Sequence, residues 1–116
     1  MTTRQERVNE LLKTEISDIV RRAIKDPRLG FVTITDVEVS KDLRHAKVFV
    51  SVFGDEQAKK ESIAVLQSAS GYIRGEFGRR VHMKIIPEIT FKIDTAVEHG
   101  ARIFELLQRV KHDEDK

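Results

Sequence analysis

From Phe31 to Phe53 the chain runs through two stretches of alternating apolar and polar residues divided by a short polar segment, and nothing else in it restricts the fold as strongly. Val32 and Ile34 alternate; Val37 and Val39 then alternate in the opposite phase. Side chains on a strand change face at every residue, so a phase change at Thr35-Asp36 predicts a β-bulge there. After the polar turn Lys41-Asp42-Leu43-Arg44, the stretch His45 to Phe53 sets Ala46, Val48, Val50 and Val52 on one face and Lys47, Phe49, Ser51 and Phe53 on the other. Two alternating strands joined by a tight polar turn predict an antiparallel hairpin, over about 31–40 and 45–53.

A hairpin alone cannot bury its valine face, and the flanking sequence supplies helices to cover it. Val8, Leu11, Leu12, Ile16, Ile19, Val20, Ala23 and Ile24 recur at three and four residues, which predicts a helix from Arg4 to about Lys25. Thr3 and Glu6 are spaced as a capping box at its start. Asp26-Pro27 should stop it, because the residue before a proline is pushed out of the α region. Gly54-Asp55 ends the second strand, and a helix over 56–68 follows with Ala58, Ile63, Leu66 and Gln67 toward the core. Ala69-Ser70-Gly71 should interrupt it as a kink, with Ala69 small where two helices approach. Gly71 is expected to adopt a left-handed φ or to let the backbones pack closely. A second piece carries Tyr72, Ile73, Arg74 and Phe77 and stops near Gly78, a third strand covers about 84–94, and a last helix carries Ile103, Leu106, Leu107 and Val110. The order α-β-β-α-kink-α-β-α, without repeat or linker, predicts one α+β domain over 1–112, a three-stranded sheet with helices on one face, and a short charged tail over 113–116.

The chain has 116 residues, enough for one domain with a real core and too few for two. It has no cysteine, which excludes disulfides, thiolate metal sites and cysteine nucleophiles. Nothing resembles a signal peptide or a membrane span, so a soluble cytoplasmic protein is expected. His45, His82, His99 and His112 lie in different elements without metal-ligand spacing, and no catalytic motif is present. Neither enzyme nor metal site nor cofactor is expected.

The charge is more informative. The formal net charge is only +2, yet Asp113-Glu114-Asp115-Lys116 carries a net −2, so residues 1–112 carry +4. Between Gln67 and Lys84, Arg74, Arg79, Arg80 and Lys84 stand against Glu76 alone. A second basic run, Arg21, Arg22, Lys25 and Arg28, closes the first helix, where cations also complement the helix dipole. Such patches on a nearly neutral chain fit a polyanion-binding face. Phe49 and Phe53 lie opposite the valine face, where they could stack on bases or be capped by the last helix. Gly75-Glu76-Phe77-Gly78 is a literal G-x-x-G, the pattern that lets nucleic acid approach the backbone in KH domains. Phe77 and Glu76 suit that role poorly, so Gly75 is read as an exposed helical residue and Gly78 as a helix stop.

Six stretches carry a resemblance over nearly the whole chain. They are Asp26-Pro27-Arg28; Val32-Thr33-Ile34-Thr35-Asp36-Val37-Glu38-Val39-Ser40; Asp42-Leu43-Arg44-His45-Ala46-Lys47-Val48; Val50-Ser51-Val52; Ala69-Ser70-Gly71-Tyr72-Ile73-Arg74; and Pro87-Glu88-Ile89-Thr90-Phe91. In this order and spacing the chain resembles the ribosome-binding factor A family. That resemblance implies a type II KH-like fold in which an Ala-x-Gly kink, here Ala69 and Gly71, replaces the G-x-x-G loop. It also implies a non-catalytic assembly factor that binds free 30S small ribosomal subunits and 16S rRNA, supports late maturation and 5′-end processing of that RNA, and is tied to growth in the cold. The expected protein is a monomer with no membrane or small-molecule partner. The alternative is a generic KH-like RNA-binding protein or RNA chaperone without a ribosomal target.

Overall fold

The valine stripe of the second strand organises the molecule. In the computed structural model, which describes residues 3–95, Ala46, Val48, Val50 and Val52 are all buried along β2 (His45–Val52). β2 is the central strand of a three-stranded sheet. On one side it pairs antiparallel with β1 (Val32–Val39), and on the other parallel with β3 (Glu88–Ile93). The register of the hairpin shifts between Ile34 and Asp36, where the sequence calls for a bulge. The shift puts Ile34, Val37 and Val39 together in the core although their sequence phases differ.

Helix α1 (Arg4–Ala23) buries Val8, Leu12, Ile16, Ile19 and Val20 in that core. Its Thr3 N-cap accepts a hydrogen bond from the Glu6 N–H at 3.1 Å. α1 ends two residues earlier than expected: Ile24 turns extended and packs against the core, and Asp26 accepts the Arg28 N–H in a tight turn before Pro27 can act as the stop. α2 (Glu56–Ser68) and α3 (Ser70–Arg80) meet at Ala69, and they bridge the parallel strands β2 and β3. α3 contributes Ile73 and Phe77, both fully buried. On α2 the core face is Ser62, Val65 and Leu66, with Ile63 partly buried. The Ser62 hydroxyl accepts the Gly30 N–H at 3.1 Å, so this buried polar group is satisfied.

Several expectations are corrected. Gln67 is exposed and lies outside the core; its amide oxygen accepts the Phe91 N–H at 3.0 Å and its Nε2 donates to the Ile89 carbonyl at 3.4 Å, closing the outer edge of β3. The third strand starts at Glu88 and not near Lys84, because Pro87 has no N–H for the ladder and the Arg74 guanidinium takes the Ile86 and Pro87 carbonyls. Gly71 sits in the first turn of α3 without positive φ, and a Cβ there would meet nothing within 4 Å. The kink therefore does not depend on a missing side chain at Gly71. Gly75 is equally open, as expected. Gly54 is the glycine that must be one: its φ is 137° and a Cβ would lie 2.8 Å from that of Ala58. Leu43 adopts a φ of 62° in the hairpin turn, a conformation the sequence does not suggest, and burial of its side chain holds it there. The expected last helix and the tail over 113–116 lie outside the described residues.

These environments separate the glycines by stability. Gly75→Ala should raise stability by about 0.5–1 kcal/mol through helix propensity, and Gly71→Ala should be neutral or mildly stabilising. Gly54→Ala should cost about 1–3 kcal/mol. Urea unfolding of the three variants checks the order, and destabilisation by Gly71→Ala would restore the strained kink.

Candidate nucleic-acid interface

The two basic runs meet in space. Arg80 at the end of α3 reaches back to α1, where its Nη1 donates to Asp18 Oδ2 at 2.8 Å and to Glu15 Oε2 at 3.1 Å. Arg80 and Asp18 are 62 positions apart in sequence. The same Asp18 carboxylate accepts from Arg21 and Arg22 through Oδ1, each at 2.8 Å. One carboxylate thus gathers three guanidinium groups and joins the end of α1 to the end of α3. Arg21 and Arg22 keep about 70% of their side chains exposed, whereas Arg80 is the most covered of the three at 30%.

The eight candidate cations divide by what they already hold. Arg74 donates from Nε and Nη2 to the carbonyls of Ile86 and Pro87 and fastens the loop before β3 to α3. Arg80 ties α3 to α1 and is not the free surface residue that its position in sequence suggests. Arg79 pairs with Glu76, and Arg28 grips both oxygens of Asp26, yet both stay largely exposed. Lys25 and Lys84 are exposed and make no ion pair among the described residues. Arg21, Arg22, Lys25, Arg28, Arg79 and Lys84 therefore remain accessible to phosphate, while Arg74 and Arg80 shape the surface that presents them.

Electrostatics follows from this geometry. Hydrogen bonds from Arg22, then Arg80 and Arg21, hold the Asp18 carboxyl far below the usual carboxylate range. The Arg28 side chain and backbone hold Asp26 down at about 2. A carboxyl whose folded pKa is depressed contributes stability above its unfolded value, and that contribution fades as pH falls toward the folded one.

The aromatic candidates are redistributed. Phe49 is buried and cannot stack on a base without rearrangement. Phe53 is 82% exposed, and Phe31 beside it is 83% exposed. The Phe53 N–H donates to the Phe31 carbonyl at 3.0 Å, which places the two residues opposite one another at the open end of the hairpin. Phe31 is legible only when the register is counted back through the bulge. Among the described residues no group of three His, Asp or Glu side chains is arranged to hold a metal, and no helix is long and apolar enough to cross a membrane.

An α+β sheet covered on one face by three helices, with two basic segments joined at one carboxylate, defines a KH-like module with a cationic surface. The family model for ribosome-binding factor A matches residues 4–107, and the chain belongs to that family. A ribosome-binding factor A of Halothermothrix orenii is 59% identical over 112 residues, covering 97% of this chain and 92% of that one. The crystal structure of ribosome-binding factor A from Thermus thermophilus superposes with a TM-score of 0.70 at 26% identity, covering 78% of this chain and 97% of that one. A homology model of the Thermus thermophilus factor, fitted into an electron cryo-microscopy map of its complex with the 30S subunit, gives a TM-score of 0.62 at 28% identity, covering 72% of this chain and 88% of that one.

The carboxylate hub is testable by pH. Asp18→Asn should lower stability to urea at pH 6, and the gap to the wild type should narrow steadily as pH falls below about 4, where Asp18 takes up a proton in the unfolded chain while staying ionised in the folded one. A gap independent of pH would mean that the Asp18 charge does not join α1 to α3.

Proposed function

We propose that this chain binds free 30S small ribosomal subunits through 16S rRNA late in their assembly, supports processing of the 5′ end of that RNA, and does so without catalysis. The observation that carries this reading is membership of the ribosome-binding factor A family over residues 4–107, joined to a relative fitted on the 30S subunit. The mechanism is binding and remodelling. Phosphates are held by the accessible cations at the ends of α1 and α3, and the bound surface favours one RNA conformation over its competitors. Arg74 and Arg80 act as positioning residues: they fix the loop before β3 and the angle between α3 and α1, so that the free cations face one substrate. The protein acts in the cytoplasm as a monomer, and its importance grows in the cold, where misfolded RNA escapes more slowly from its traps.

Sucrose-gradient sedimentation tests the target. Co-migration with free 30S subunits is expected; binding to any structured RNA with no preference for those subunits would instead identify a general RNA chaperone. If about four phosphates are neutralised, log K should fall with log salt at a slope of about −3. Lys25→Glu combined with Lys84→Glu should weaken subunit binding severalfold and leave thermal unfolding unchanged, since neither lysine has an ion-pair partner among the described residues. Full binding by that double variant would move the interface away from the basic ends of α1 and α3.

A further inference from the structure

Phe31 and Phe53 form the one place among the described residues where two aromatic rings stand side by side in solvent. Their neighbours Val32 and Val52 oppose each other on the core face, so both rings project from the opposite, outer face of the sheet. The next pair on that outer face is Thr33 opposite Ser51. Together these four line a cavity of about 540 Å³ whose wall includes Lys59. Phe31 and Thr33 also line a second cavity, of about 840 Å³, which runs between β1 and the end of α1 and includes Arg21. The aromatic pair is thus continuous with the end of α1; the cavity itself is lined by Arg21 with Glu15, Asp18 and Asp26, and across the surrounding surface Arg21, Arg22, Lys25, Arg28 and Arg80 outnumber those three acids.

The free edge of β1 changes character at this point. Toward its far end the N–H groups of Val37 and Val39 are taken by the side chains of Asp36 and Asn9. Since Phe31 and Phe53 are a hydrogen-bonded pair, alternation turns the backbone groups of Val32 and Ile34 outward, and both residues line the second cavity. The site therefore offers flat aromatic faces, hydroxyls, backbone donors and acceptors, and the cations Lys59 and Arg21. The large hydrophobic residues exposed elsewhere, Tyr72 and Ile85, lie on other elements, so the two rings are not part of a larger contiguous apolar patch of the kind that marks a protein contact. Single-stranded nucleic acid meets these features directly: bases stack on rings in a sequence-tolerant way, and phosphates take the cations.

We infer that Phe31 and Phe53 are a stacking platform for two unpaired nucleobases of single-stranded RNA, whose backbone runs toward the basic end of α1. The site lies at the opposite end of α2 from its junction with α3, because Phe53 directly precedes the turn into α2. It rests on the proposed RNA-binding function and adds that the bound RNA is single-stranded at this point.

The test uses the full chain and two fluorescently labelled RNAs of equal length, an unstructured strand and a perfect duplex, with anisotropy as the readout. Phe31→Ala with Phe53→Ala should lose roughly tenfold or more in affinity for the strand and little for the duplex. Phe31→Leu with Phe53→Leu, which keeps apolar bulk and removes the π faces, should lose nearly as much, and Phe31→Tyr with Phe53→Tyr should retain affinity. Retention by the leucine variant, or equal losses on strand and duplex, would overturn the platform. Sedimentation with 30S subunits separates this inference from the function it rests on. Strand binding that depends on the rings, in a wild type that ignores the subunits, would uphold the platform and refute the ribosomal target. Normal sedimentation with ring-independent strand binding would do the reverse. Loss of sedimentation by the alanine variant with strand affinity intact would assign the rings to a protein contact and overturn the platform.

Discussion

The buried stripe of β2 is the surface on which every other element depends. Ala46, Val48, Val50 and Val52 are β-favouring or small, they stand at period two, and each valine contributes roughly 2 kcal/mol by leaving water. Because β2 is central, its register sets the positions of both neighbours, and its covered face receives α1 beside β1 and the α2–α3 pair beside β3. The bulge at Thr35 keeps that dependence intact. Without it, Val37 and Val39 would turn to the solvent face while Ile34 stayed inside.

A three-stranded sheet has two open edges, and the helices treat them in the same way. Gln5 and Asn9 of α1 bond the carbonyl and the N–H of Val39 on β1. Gln67 of α2 bonds Ile89 and Phe91 on β3. A carboxamide offers a donor and an acceptor at nearly the spacing of a neighbouring strand, so each acts as a fragment of a further strand and discourages edge-to-edge association. Among the described residues the edge is left uncovered beside Val32 and Ile34, next to the exposed phenylalanines.

The arginines show how one residue type serves both fold and function. A planar fork can bind two acceptors and keep donors in reserve. Arg74 and Arg80 spend their forks on carbonyls and carboxylates that hold loops and helices in place. Arg21 and Arg22 share Asp18 yet remain mostly in solvent, where such pairs are weak and an incoming phosphate can compete. The Asp18 hub therefore sets the geometry of a basic surface while leaving much of its charge available.

Patterns of period two and 3.6 made the hairpin, its bulge, the first helix and the break at Ala69 legible in the sequence, because burial on one face leaves a local signature in neighbouring residues. The basic character of the two runs was equally plain, since charge is a property of composition. Which cations are free was not legible: Asp18 meets Arg80 across 62 positions, and only packing of α3 on α1 brings them together. The same holds for Gln67, whose partners lie on β3, and for Leu43, whose left-handed turn is held by distant core contacts. Gly71 looked special beside a helix break, yet its surroundings are open, while the strained glycine is Gly54. Sequence by itself thus determined the order of the elements from α1 to β3 and most of their apolar faces, which follow from local periodicity. Tertiary structure alone decided which charged and aromatic side chains are occupied and which are presented, because that depends on contacts between residues far apart along the chain.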